Sequence, residues 1–152
     1  LDGQGTMVTG WLPYRGSWFW LDNSGAMAVG WTNIGNDWYL FEDDGRMLTG
    51  WQLTEDDHEW YYMRANGVMA TGWLLDGGKW YYLDGEGIMK TGWVKVGADW
   101  FHMNSSGVMS TGWLKSGNSW YWLDPASGAM ATGWINLGGT WYYLDANGVW
   151  VK

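Results

Sequence analysis

Apolar and polar positions fall in short blocks along this chain, and the blocks recur. Residues 71–89 show the unit. Thr71-Gly72-Trp73-Leu74-Leu75 leads into the polar turn Asp76-Gly77-Gly78. Trp80-Tyr81-Tyr82-Leu83 follows, then a second turn, Asp84-Gly85-Glu86-Gly87, then Ile88 and Met89. Blocks this short, rich in aromatics and bounded by glycine, predict β-strands rather than helices. Each unit therefore predicts a β-hairpin. Its first strand begins at the Gly-Trp pair and its second at the aromatic run. Glycine in the intervening turns (Gly16, Gly35, Gly77, Gly97, Gly117, Gly138) supplies the positive φ of a tight connection.

The Gly-Trp pairs begin at Gly10, Gly30, Gly50, Gly72, Gly92, Gly112 and Gly133, with spacings of 20, 20, 22, 20, 20 and 21 residues. A fixed period in this range marks a repeat architecture. Seven units are expected in a single array over residues 1–152. Residues 1–9 match the tail of a further, truncated upstream repeat, and Trp150 in the methionine slot of the last unit suggests a terminal or junction repeat. The two extra residues of the third unit fall in Thr54-Glu55-Asp56-Asp57-His58-Glu59. The extra residue of the sixth falls in Asp124-Pro125-Ala126-Ser127-Gly128. Both insertions lie in turns, as a hairpin array requires. A lone hairpin is marginal in water, so the units must stack on one another. The expected fold is all-β, a solenoid of tandem hairpins of about 20 residues each.

Composition changes what the core can be. The chain has 17 Trp, 9 Tyr, 9 Met and 25 Gly among 152 residues, the glycine being more than twice an average share of about 7 %. Aromatics and methionines are thus expected to supply most of the buried area. There is no cysteine, which excludes disulfides and thiolate metal sites. The net charge of −8 argues against nucleic acid, which needs clustered Lys and Arg. No apolar run reaches the roughly 20 residues of a membrane-spanning helix. No P-loop, zinc motif or nucleophile elbow occurs, so no catalytic residue, metal or cofactor is expected.

Candidate chemistry lies in the aromatics. Alternation places Trp80 and Tyr82 on one strand face and Tyr81 on the other, with Trp73 able to reach the same end of the unit. Two tryptophans and a third ring, expected to stand clear of Lys and Arg, suit a quaternary ammonium held by the ring quadrupoles. The competing reading makes each tryptophan plain core. Trp at both register positions of all seven units weighs against it, because Leu or Ile would serve a core. The methionines read as packing between repeats. Asp22, Glu42, Asp84, Asp124 and Asp145 share one register and read as turn residues rather than catalytic acids. The acidic stretch Glu55 to Glu59 reads as a solvated turn.

The pattern Thr-Gly-Trp…Gly-x-Trp-Tyr-Tyr-Leu-Asp…Gly-x-Met resembles the choline-binding, or cell-wall-binding, repeat of pneumococcal-type surface proteins, wall hydrolases and phage lysins. The resemblance covers essentially the whole chain. It implies a left-handed superhelix of hairpins with choline between consecutive units: two tryptophans from one, an aromatic from the next, and often a methionine. The implied sites are Trp31 and Trp38 with Tyr62, Trp51 and Trp60 with Tyr82, Trp93 and Trp100 with Trp122, and Trp113 and Trp120 with Tyr143. Trp73 and Trp80 meet His102, a poor third wall. Trp11 and Trp18 meet Leu40, which offers no π face and so makes a poorer third wall still. Trp134 and Trp141 have no following unit. The implied function is non-catalytic anchoring of a larger protein, with a linked catalytic or adhesive domain, to phosphocholine-bearing teichoic acids. The implied place is the surface of a Gram-positive cell, after secretion. The alternative is a glucan-binding repeat module, against which the second tryptophan of each unit counts.

Overall fold

The computed structural model describes residues 1–152. The chain is all-β: seven tandem antiparallel hairpins, with no helix and no closed barrel. In chain order they are β1 (Gly10–Tyr14) with β2 (Ser17–Leu21), β3 (Gly30–Ile34) with β4 (Asp37–Phe41), and β5 (Gly50–Leu53) with β6 (Trp60–Met63). Then come β7 (Gly72–Asp76) with β8 (Lys79–Leu83), β9 (Gly92–Val96) with β10 (Asp99–Met103), β11 (Gly112–Ser116) with β12 (Ser119–Leu123), and β13 (Gly133–Leu137) with β14 (Thr140–Leu144). A short β15 (Trp150–Val151) adds a third strand to the last hairpin. The chain forms two compact units, Leu1–Thr71 with Gly85–Ile88, and Gly72–Asp84 with Met89–Lys152.

The hairpin turns follow from sequence. Arg15 and Gly16 have φ of 50° and 82°, and Gly77 and Gly78 have 57° and 78°, the double left-handed conformation of a two-residue turn that matches strand twist. The two-residue insertion of the third unit makes a six-residue loop between β5 and β6. The second turn of most units is built on an acidic or amide side chain, among them Asp22, Asp44, Asn66 and Asn104. Asp145 Oδ1 accepts the backbone N–H groups of Asn147 and Val149 at 2.9 Å each. Asp124 Oδ1 accepts those of Ala126 and Ser127, also at 2.9 Å. These bonds hold the Asp124 carboxyl below its ordinary range. At Asp22, Asp124 and Asp145 the carboxylate register is turn chemistry.

Register decides what is buried. The glycine of each Gly-Trp pair stands across from the last residue of the aromatic strand: Gly30 from Phe41, Gly50 from Met63, Gly72 from Leu83, Gly92 from Met103. That last residue is the core. Met63, Leu83, Met103, Leu123 and Leu144 are fully buried and Phe41 nearly so. The fully buried side chains are thus Leu and Met, set within a wider layer of partly buried aromatics. The tryptophans beginning the second strand, from Trp18 to Trp120, remain 37 to 46 % exposed. Plain core does not explain them.

Stacking between hairpins uses the methionines. The Met47 N–H donates to the Trp18 carbonyl of the preceding hairpin at 2.9 Å, and the Met69, Met109 and Met130 N–H groups do the same to Trp38, Trp80 and Trp100 at 2.8 Å. Each methionine side chain then lies on the turn glycine of the next unit. A Cβ on Gly67 would fall 2.3 Å from Met47 Sδ, and one on Gly107 2.4 Å from Met89 Sδ. These glycines have φ near +85°, so position and conformation both demand glycine.

Candidate functional site

The two tryptophans of a hairpin meet at an edge. Trp11 and Trp18, Trp51 and Trp60, and Trp73 and Trp80 have ring centroids 6.4 Å apart with planes 81° to 87° apart, giving an L-shaped pair of walls. A third ring from the next hairpin closes the shape. It is Tyr39 at 4.9 Å from Trp11, Tyr61 at 4.9 Å from Trp31, Phe101 at 4.8 Å from Trp73 and Tyr121 at 4.8 Å from Trp93.

Four open grooves of about 300 to 450 Å³ result. One is lined by Trp11, Trp18, Tyr39 and Met47, one by Trp31, Trp38, Tyr61 and Met69. The others are lined by Trp73, Trp80, Phe101 and Met109, and by Trp93, Trp100, Tyr121 and Met130. The turn of the hairpin beyond adds a wall: Asn66, Glu86, Ser127 and Asn147 respectively. The methionines therefore have two roles, packing and wall.

The third walls differ from those expected. Tyr62, Tyr82, His102, Trp122 and Tyr143 lie across from the first tryptophan of their own hairpins, in register with Trp51, Trp73, Trp93, Trp113 and Trp134. Their rings contact those tryptophans at 5.1 to 5.3 Å. They brace the tryptophans from within the same face. Tyr61, Phe101, Tyr121 and Tyr142 point to the opposite face, which is the face presented to the preceding hairpin. A groove between stacked hairpins needs one front and one back, so the odd member of each Trp-x-x run is the one that completes it. Leu40 and His102 are therefore harmless: Tyr39 and Phe101 close those two grooves. The signal lay in the repeats. Phe19, Tyr39, Tyr61, Tyr81, Phe101, Tyr121 and Tyr142 are all aromatic, whereas the next position varies from Leu40 to His102.

Trp113 has Tyr142 at 5.1 Å and also Trp150 at 5.8 Å, so the residue in the methionine slot brings another ring to that cluster. Lys152 Nζ lies 5.5 Å over the Trp150 ring, a cation already resting on an aromatic face. Trp134 and Trp141, which no later hairpin of this sequence covers, are 66 and 62 % exposed.

Electrostatics around the grooves are uneven. The Tyr61 hydroxyl donates to Asp57 Oδ2 at 2.7 Å, so the acidic loop positions a groove wall. The Thr54 hydroxyl and then that of Tyr61 hold the Asp57 carboxyl below its ordinary range. Burial raises the Tyr39 phenol, which stays protonated. Burial lowers the His102 imidazole, whose Nδ1 lies 2.9 Å from Ser110 Oγ. Contrary to the expectation of grooves clear of cations, Lys95 and Lys115 stand directly across from Trp100 and Trp120.

A family model described as a choline-binding repeat matches residues 28–66, 57–91 and 90–132. A second, described as a putative cell wall binding repeat, matches residues 9–27 and 132–149. No curated protein sequence matches the chain. Among solved structures, CbpJ from Streptococcus pneumoniae is 41 % identical with a TM-score of 0.91, covering 95 % of this chain and 52 % of its own. Choline binding protein F from Streptococcus pneumoniae, in the presence of a peptidoglycan analogue, is 42 % identical with a TM-score of 0.89 and the same coverage. A pneumococcal cell wall endolysin from phage Cp-1, complexed with choline, is 38 % identical with a TM-score of 0.57 over 86 % of this chain and 39 % of its own. The chain thus spans about half the length of the first two.

Proposed function

This chain belongs to the family of choline-binding, cell-wall-binding repeats, and on that premise we propose that it is a non-catalytic module that holds a larger protein to a choline-decorated bacterial wall. The observation that carries the reading is the four-fold recurrence of one groove: two half-exposed tryptophans, a third ring and a methionine. A trimethylammonium group needs a negative π face for its charge and apolar surface for its methyls, and each groove offers both. At about 0.5–2 kcal/mol per ring, three rings with some apolar burial give about 4 kcal/mol, an affinity of about millimolar. A single groove is weak. Several engaged together on a surface carrying many copies of the ligand gain strength by avidity.

The natural ligand is phosphocholine on wall and membrane-linked teichoic acids, reached after secretion. The 152 residues act as one repeat array beside a linked catalytic or adhesive domain. Trp113 with Trp120, Tyr142 and Trp150 is a further site of the same kind.

Calorimetric titration with choline, and retention on an amine-bearing resin with elution by free choline, test the reading. Binding with a Kd of about 1 mM and elution by choline are expected. No heat and no retention at about 50 mM choline, well above that Kd, would overturn it. Retention on dextran with indifference to choline would favour the glucan-binding alternative.

A further inference from the structure

The grooves share their aromatic walls but not their charge. The Trp31–Trp38–Tyr61 groove carries Glu86 in its wall, where the other three have Asn66, Ser127 and Asn147. The same groove's third ring is bonded through its hydroxyl to the Asp57 carboxylate at 2.7 Å. Two acidic groups therefore attend this one site. The Trp93–Trp100–Tyr121 groove is the opposite case. Lys95 is two residues along the strand from Trp93 and directly across from Trp100, which puts its stem on the face that carries both tryptophans. The Trp73–Trp80–Phe101 groove lies between them: Leu75 stands across from Trp80, and the far wall is Ala126 and Ser127.

An ammonium ion gains from a neighbouring carboxylate, and a phosphate joined to that ammonium loses by it. A neighbouring lysine reverses both signs. Accepting the reading of the grooves as quaternary-ammonium sites, we infer that they are not equivalent and that Glu86 and Lys95 set their specificity. The Trp31–Trp38–Tyr61 groove selects ligands bearing the ammonium alone, and the Trp93–Trp100–Tyr121 groove selects ligands in which the ammonium is joined to a phosphate. Both charged side chains are solvent-exposed, so the discrimination is modest and falls with salt. A unit charge about 7 Å from a ligand charge in water changes affinity about threefold.

The test is a titration of the whole chain, labelled at the indole nitrogens, with choline chloride and separately with phosphocholine. Trp→Phe substitutions at Trp38, Trp80 and Trp100 assign the resonances of the three grooves. The ratio of phosphocholine Kd to choline Kd is expected to be about threefold higher at the Trp31 groove than at the Trp73 groove, and about threefold lower at the Trp93 groove, at low ionic strength. Glu86→Gln and Lys95→Gln should each move only their own groove toward the Trp73 ratio, and about 1 M salt should compress all three. Equal ratios at the three grooves, or ratios indifferent to both substitutions, would overturn the inference while leaving choline binding intact. Indole resonances that move with neither probe would overturn the choline reading itself.

Discussion

Tyr61 and Tyr62 are neighbours with opposite duties. Tyr61 is 7 % exposed, faces back to Trp31 and is held by Asp57, while Tyr62 braces Trp51 across its own hairpin. Tyr61→Ala should weaken choline at the Trp31–Trp38 groove about tenfold, the value of one ring plus its apolar contact. Tyr62→Ala should leave that groove's affinity within about twofold and lower stability instead, because it removes a cross-strand aromatic pair. Indole resonances of Trp31 and Trp38 followed through a choline titration separate the two outcomes. The sequence reading set Tyr62 beside Trp31 and Trp38, whereas the fold sets Tyr61 there and Tyr62 against Trp51. The choice assumed that all walls share a strand face. A site built by two stacked hairpins draws on opposite faces, and that depends on stacking that no single strand records. The uniform aromaticity of the Tyr61 position was nevertheless present in the sequence.

Each hairpin is a module with one fixed defect, a turn glycine that its neighbour's methionine needs. Gly67 has a φ of 85°, and Met47 Sδ fills the space where its Cβ would stand. Gly67→Ala should cost about 1–3 kcal/mol, from the left-handed backbone together with the displaced sulfur. Thermal unfolding is expected to shift down by several degrees. Gly77→Ala, at a φ of 57° with open space around it, gives the backbone term alone. The difference between the two variants measures the methionine contact. Here the sequence was more legible. The hairpins, their turns and both insertions follow from glycine spacing and strand patterning, because those are local. The burial of Leu83 and Met103 rather than of tryptophan was not legible, since it follows from which residue the register sets opposite the Gly of Gly-Trp.

Across the molecule, every groove wall is borrowed from consecutive hairpins: two tryptophans from one, a ring and a methionine from the next, a turn residue from the one beyond. Ligand therefore ties hairpins together, and binding must stabilise the fold. At ten times Kd each filled groove adds about 1.4 kcal/mol. Melting temperature should rise steadily with choline and rise less when Trp38→Ala and Trp100→Ala remove two grooves. A melting temperature indifferent to choline would mean that the ligand binds the unfolded chain as well. The methionines carry the same coupling into redox chemistry. One thioether both seats a hairpin on the next glycine and walls the groove beside it. Conversion to the sulfoxide would make that atom polar and bulkier at both places at once. Peroxide would then erode adhesion and folding in step, and a methionine sulfoxide reductase would return both together.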